Sequence, residues 1–223
     1  MADSRGVVIE FDFTALDGAK LLFDTMRDHL AAIDDIQFTP GLEARCLAGR
    51  ELEDGVCRLF DLVKTKKTAA KAVRTLSDAF VEVFAEAAPS AVTTAFKSFV
   101  KSLKEKGVKV VIATRVDPEV LAPALADVLD ENAVLCQVKP TAYGSTKTDV
   151  FGMICRDNAI RRRRTLAIVG SGFSVKEALL AGLGAVAVEN DHTAWQDFSG
   201  VSDFIPALNG PAVKVVQKVM NLE

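Results

Sequence analysis

The stretch VVIEFDFTALD, residues 7–17, decides how this 223-residue chain is interpreted, because it leads from an apolar run directly into acidic residues. Short continuous apolar runs such as residues 7–13 are typical of strands buried in a parallel sheet. In such sheets, ligands bind beyond the carboxyl ends of the strands. Glu10 and Asp12 are therefore predicted to lie at a ligand-binding edge.

The rest of the chain changes from helical to alternating patterns. Between about 18 and 105, apolar residues recur at helical spacing, with breaks near Thr39-Pro40-Gly41, near the lysines at 64–67 and at Pro89. Strand-like runs then alternate with helical stretches. The strand-like runs are 108–114, 133–138, 165–170 and 185–188, the helical stretches are about 117–129, 147–160 and 174–181, and a short apolar piece at 201–205 precedes a helix at 210–221.

This alternation predicts an α/β fold, a Rossmann-like parallel sheet with helices on both faces. Residues 1–17 and 106–223 are predicted to form the core domain. Residues 18–105 are predicted to form an α-helical domain inserted after the first strand.

Composition narrows the class of protein. The net charge of -3 gives no indication of nucleic-acid or anionic-membrane binding, and apolar residues make up an ordinary 49%. Apolar runs are strand-length, and the N-terminal residues lack the apolar core of a signal peptide. Cysteines without metal-type spacing are typical of reduced thiols. A cytoplasmic protein without membrane or nucleic-acid partners is expected, and its oligomeric state stays open.

The strand ends, taken in order, resemble the four motifs of the haloacid dehalogenase (HAD) superfamily. Residues 10–17 stand where that family has D-x-D-G-T-L-x-D, and Thr114 ends the second strand as its second motif requires. Lys139-Pro140 follows the third strand, and residues 170–175, GSGFSV, replace G-D-x-x-x-D. The helical insertion lies where the family carries a helical cap domain.

The resemblance implies a phosphatase-type hydrolase acting on a small phosphorylated metabolite. Glu10 would stand at the nucleophile and Asp12 at the general acid, and both would be the remaining candidate ligands of Mg²⁺. The implied phosphate-binding or anion-binding residues are Thr14, Thr114, Lys139, Gly170, Ser171 and Gly172. Lys147 competes with Lys139, because residues 146–151 also resemble the tail of the family's K-P-x-P-D-x-F pattern.

Physical chemistry adds two further expectations and a structural alternative to each. Arg115 could bind an anion without metal, since a guanidinium matches phosphate geometry; alternatively it is a surface residue paired with Asp117. The glycines at 170 and 172 open a helix whose free N–H groups could hold an anion, with Ser174 as the expected N-cap; alternatively they form only a tight turn. Asp12 itself could simply cap the strand end.

The sequence departs from the family at the chemically demanding positions. Glu10 is one methylene longer than aspartate, and a misplacement of ~1 Å can cost roughly 10²-fold in rate. Phe13 replaces a turn glycine, and Ser171 and Val175 replace two acids that would bind metal. Weak or absent activity is therefore expected. Three hypotheses remain: an active phosphatase, an inactive relative that binds a small anion or phosphometabolite, and a partner-binding scaffold.

Overall fold

A parallel sheet forms the centre of the computed structural model, which describes residues 5–34, 36–47, 52–138 and 149–222. Its six strands lie in the order β3-β2-β1-β4-β5-β6. Their bounds are β1 Gly6–Glu10, β2 Lys109–Thr114, β3 Ala133–Gln137, β4 Thr165–Val169, β5 Gly184–Val188 and β6 Asp203–Ile205. The predicted Rossmann-like α/β class is confirmed.

Strand β1 occupies the middle of the sheet and pairs with β2 on one side and β4 on the other. Glu10 lies opposite Ala113 of β2, and Ile9 lies opposite Ile168 of β4. The chain runs outward from β1 to β3 and then returns to start again at β4. Strand order therefore reverses beside β1, which is where α/β sheets form ligand crevices.

Both faces of the sheet are covered, so its central strands β1, β2 and β4 are largely apolar. Val7 and Ile9 point into one buried cluster, and Val8 between them points into the other. This division follows from the two-residue side-chain period of a strand. It also explains why β1 shows an unbroken apolar run and no apolar–polar alternation.

The helices follow the predicted order. They are α1 Phe11–Thr14, α2 Gly18–Asp34, α3 Pro40–Leu42, α4 Leu52–Val63, α5 Ala69–Ala91, α6 Thr94–Glu105, α7 Pro118–Leu125, α8 Val150–Asp157, α9 Gly172–Leu180 and α10 Gly210–Met220. A π-helical turn spans Glu43–Leu47, and a 3₁₀ turn spans Arg162–Arg164.

Two local predictions are corrected. The first apolar run is not extended to residue 13, because the strand ends at Glu10 and Phe11–Thr14 form a helical turn. Pro89 lies within the last turn of α5, and the helix ends at Ala91. Pro89 lacks the N–H for one backbone hydrogen bond of the helix, and the helix continues for only two residues beyond it.

Helices of the insertion have a hydrophobic cluster of their own. Met26, Leu30, Leu59 and Leu76 are buried in it, away from the two sheet clusters. Helix α6, in contrast, contributes its apolar face to a sheet cluster. The division of the chain at residues 17 and 105 stays a prediction. No helix within the described residues is long and apolar enough to cross a membrane.

Candidate ligand site at the carboxyl edge of the sheet

A cavity of about 340 Å³ lies at the carboxyl edge of β1 and β2. Four of the predicted site residues line it, namely Glu10, Asp12, Thr114 and Arg115. Thr14, Gly170, Ser171 and Gly172 are not among the described residues that line it. Lys139 and its competitor Lys147 lie outside the described residues.

Asp12 is held by the end of β2. Its side chain is 1% exposed. One carboxylate oxygen, Oδ1, accepts a 2.6 Å hydrogen bond from the Thr114 hydroxyl, and the other, Oδ2, accepts bonds from Arg115. The Arg115 backbone N–H lies 2.8 Å from Oδ2 and its Nη1 lies 3.2 Å from the same atom. Asp12 is therefore more than a strand-end cap, because it ties α1 to β2 across the sheet edge.

Arg115 is positioned by Asp12 and by an aromatic ring. Its guanidinium lies 5.4 Å from the centroid of the Phe13 ring, within the range of a cation–π contact. The predicted alternative of pairing with Asp117 is wrong, because Arg115 pairs with Asp12 and Asp117 instead caps helix α7. The Arg115 side chain remains 24% exposed and lines the cavity.

Glu10 reaches across to the next strand and is buried, at 8% exposure. Its Oε1 accepts a 2.7 Å hydrogen bond from the Ser174 hydroxyl, and its Oε2 accepts one of 3.2 Å from the Gly170 backbone N–H. Burial raises the pKa of Glu10, against the opposing influence of Arg115 and the two hydrogen bonds. Desolvation penalises the charged form of a carboxyl group, so burial favours the protonated form of Glu10.

The Thr14 side chain bonds to the backbone of its own helical turn. Its hydroxyl donates to the backbone carbonyl of Glu10 at 2.8 Å, one helical turn earlier. Phe13, in the position of the family's glycine, packs edge-on against Phe84 of α5. The short helix α1 thus anchors the sheet edge to the insertion.

The turn after β4 is already filled by protein groups. Helix α9 begins at Gly172 with Ser171 as its N-cap, so the predicted N-cap Ser174 is wrong. The Gly172 N–H donates to the side chain of Gln196 at 2.8 Å, and the Ser174 N–H donates to the Ser171 hydroxyl at 3.1 Å. Of the N–H groups expected to hold an anion, those of Gly170 and Gly172 therefore have partners within the chain.

Gly170 is required by close packing. A Cβ atom built on it would lie 1.8 Å from the carbonyl oxygen of Phe13. Backbone atoms cannot move aside as a flexible side chain could. The glycine thus lets the end of β4 approach α1, which brings the Gly170 N–H to the carboxylate of Glu10.

Glu177 of helix α9 is a residue of the cavity that sequence reasoning missed. Burial raises its pKa to about 8, and the charge of Glu10 acts in the same direction. The signal was present, since Glu177 follows Ser174 by three positions and so shares its helix face. The remaining wall is largely apolar and includes Phe151 and Met153 of α8, with Cys136 of β3 beside it.

The donor set does not fit Mg²⁺. Hard cations need several anionic oxygens, but the four carboxylate oxygens of Glu10 and Asp12 accept hydrogen bonds from protein groups. Val175, at the position of a family acid, is fully buried. Within the described residues no cluster of three acidic, histidine or cysteine side chains could hold a metal, and residues 139–148 contain no acid.

No protein-family model and no curated protein matches the chain. Solved structures, in contrast, match nearly its whole length. It superposes on a HAD hydrolase, family IA, variant 3, from Entamoeba histolytica with a TM-score of 0.71 at 13% identity, covering 98% of each chain. This chain has the HAD-like fold.

Two further structures of the HAD-like fold resemble this chain. CbbY from Rhodobacter sphaeroides, in complex with phosphate, matches with a TM-score of 0.63 at 17% identity, over 92% of this chain and 95% of that one. A β-phosphoglucomutase from Clostridium difficile matches with a TM-score of 0.69 at 10% identity, over 98% and 97%. The resemblance predicted from the strand-end motifs is confirmed at the level of the fold, which by itself does not determine function.

Proposed function

We propose that this chain is a HAD-like protein of the phosphatase type with weak or no hydrolase activity. One observation carries the proposal: Glu10 and Asp12 are both held in hydrogen bonds to the protein's own groups. A nucleophilic carboxylate has to leave such partners and align with phosphorus at about 3–3.5 Å.

The charges around the cavity also disfavour phosphoryl transfer. A transferring phosphoryl group needs positive charge around it, normally supplied by a metal ion and basic side chains. Arg115 is the cation among the described residues of the cavity, and Asp12 already neutralises much of its charge. Glu10, Glu177 and Asp157 also line the cavity, and they oppose the approach of a dianion when ionised. Mg²⁺ dependence is therefore not expected of the native chain.

The proposal is tested by restoring the family's acids. The variant Glu10→Asp/Ser171→Asp/Val175→Asp is assayed with an aryl phosphate and Mg²⁺ beside the native chain. A matched control adds Asp12→Asn to the three substitutions and so removes the general acid. Activity only in the first variant supports the proposal, whereas strong, Mg²⁺-dependent turnover by the native chain overturns it.

A second candidate function is the binding of a small anion, including a phosphorylated metabolite, without catalysis. The observation in its favour is the Arg115 guanidinium, which stays partly exposed beside the cavity while Asp12 and Phe13 fix its position. A thermal-shift titration with inorganic phosphate in a chelating buffer measures it, with Arg115→Gln as the comparison. If phosphate leaves the melting temperature of the native chain unchanged, the partner-binding scaffold becomes the better account.

A further inference from the structure

We propose that an arginine-lined cleft at the opposite, amino edge of the sheet binds small multivalent phosphate anions. The cleft has a volume of about 380 Å³. Arg5, Arg163 and Arg164 line it, together with the starts of β4 and β5 and the end of α10. It shares no lining residue with the carboxyl-edge cavity among the residues that the structure describes.

The sheet register brings two of these arginines together. Gly6 of β1 lies opposite Thr165 of β4, so Arg5 and Arg164 are the residues directly before a paired position. Neighbouring strands lie about 4.8 Å apart, which makes the two arginines near neighbours. They are far apart in the sequence, and only the order of the strands places them side by side.

Arg163 joins them through the turn that leads into β4. The Arg164 backbone N–H donates to the carbonyl of Arg161 at 2.9 Å, and the Thr165 hydroxyl donates to the same carbonyl at 2.8 Å. The Thr165 side chain is buried, so this turn is fixed to the sheet. Arg163 and Arg164, the last two residues of the run Arg161–Arg164, are thus both placed at this cleft.

Charge indicates the class of ligand. The described residues that line the cleft include three arginines and no acid, and the others are neutral. Guanidinium groups form bidentate, charge-assisted hydrogen bonds with phosphate oxygens. Several of them around one space favour an anion that carries more than one charge.

The shape of the cleft favours a small ligand over a polymer. The end of α10 closes one side with Val219 and Met220, and the Arg5 Nη1 donates weakly to the Asn221 carbonyl there, at 3.4 Å. Its volume lies near the lower end of the range for small-molecule pockets, about 300–1,000 Å³. Inorganic pyrophosphate is therefore a suitable probe.

The test is calorimetric titration of the full chain with inorganic pyrophosphate in metal-free buffer. Arg163→Ala/Arg164→Ala is expected to weaken binding by about tenfold or more. The matched control, Arg58→Ala/Arg74→Ala, removes the same charge from the insertion and is expected to weaken binding less than about twofold. If the alanine pair does not fold, Arg163→Lys/Arg164→Lys keeps the charge and loses the bidentate geometry, with an expected loss of about threefold or more.

Several results would overturn the proposal. They are no binding by the native chain, equal weakening by the cleft and control pairs, and loss of binding in Arg115→Gln with the cleft intact, which would place the anion at the carboxyl edge. Tighter binding of a short single-stranded RNA than of pyrophosphate, weakened equally by both arginine pairs, would indicate general attraction to polyanions. Because the cleft variants leave Glu10 and Asp12 unchanged, failure here does not affect the proposed loss of hydrolase activity.

Discussion

At the carboxyl edge of the sheet, acids are buried and bound to the protein's own donors, whereas at the amino edge arginines converge on an open cleft. Asp12 and Glu10 together take hydrogen bonds from two hydroxyls, two backbone N–H groups and one guanidinium. Arg163 and Arg164, in contrast, are exposed. We propose that the edge where α/β sheets usually bind ligands serves in this chain as a structural joint around Glu10 and Asp12, while arginines line a cleft at the opposite edge.

This comparison predicts large stability effects at the first edge and small ones at the second. Gly170→Ala is expected to cost about 3–5 kcal/mol, because its Cβ would meet the Phe13 carbonyl within the joint. Urea unfolding of both chains measures the difference. Gly210→Ala is the control, since a Cβ there would meet nothing within 4 Å. A cost below about 1 kcal/mol at Gly170 would contradict the close packing.

Arg115→Met is expected to cost about 2–3 kcal/mol, because it leaves the buried carboxylate of Asp12 with fewer partners. The loss should be smaller in the double variant Arg115→Met/Asp12→Asn, where no unpaired charge remains. Arg156→Met, which breaks an exposed pair with Asp157, is expected to change stability by less than about 0.5 kcal/mol. Equal effects of Arg115→Met and Arg156→Met would remove the distinction between a buried joint and a surface pair.

Glu177→Gln is expected to stabilise the protein at pH 8 by about 1–2 kcal/mol and to have little effect near pH 4.5. The native pKa is raised to about 8 from the ordinary value of 4.5, so the folded state holds a proton that the unfolded state has lost. Ionisation of Glu177 therefore does not weaken the folded state below pH 4.5. The free energy of unfolding then falls as the pH rises from 4.5 to about 8. Unfolding at both pH values measures this effect. Glu53→Gln, on an exposed position of α4, is the control for the substitution itself.

Arg163→Ala/Arg164→Ala should change the free energy of unfolding least, by less than about 0.5 kcal/mol in the absence of phosphate anions. Both arginines are exposed, so their removal takes away little buried packing. Addition of pyrophosphate should then raise the melting temperature of the native chain more than that of the variant. A loss above about 2 kcal/mol without ligand would make the arginines a structural feature of α10 and β4.

The sequence predicted the strands well because a buried parallel strand is apolar on both faces, as Val7, Val8 and Ile9 are. It also placed Asp12 and Thr114 at the same edge, where they share a hydrogen bond. It could not predict the partner of Arg115, since local spacing favours Asp117 and only the assembled sheet brings Asp12 closer. The same limit applies to Glu10 and Ser174, which meet across two strands.

The amino-edge cleft was missed for a related reason. Arg161 to Arg164 follow a helix, and a run of charges in that position is typical of a solvated helix end. The proximity of Arg5 depends on the pairing of β1 with β4, and strand order is not encoded in any local pattern. Val175, in contrast, shows in the sequence itself that an acid has been replaced by a core residue.

The most direct measurement of the central claim is hydrolysis of an aryl phosphate by the native chain and by Asp12→Asn, each with and without Mg²⁺. If the carboxyl edge is a structural joint, the two chains show the same low rate, and Mg²⁺ changes neither. A native rate that rises with Mg²⁺ and falls about 100-fold or more in Asp12→Asn would contradict that account, because it would require Asp12 to act as a general acid.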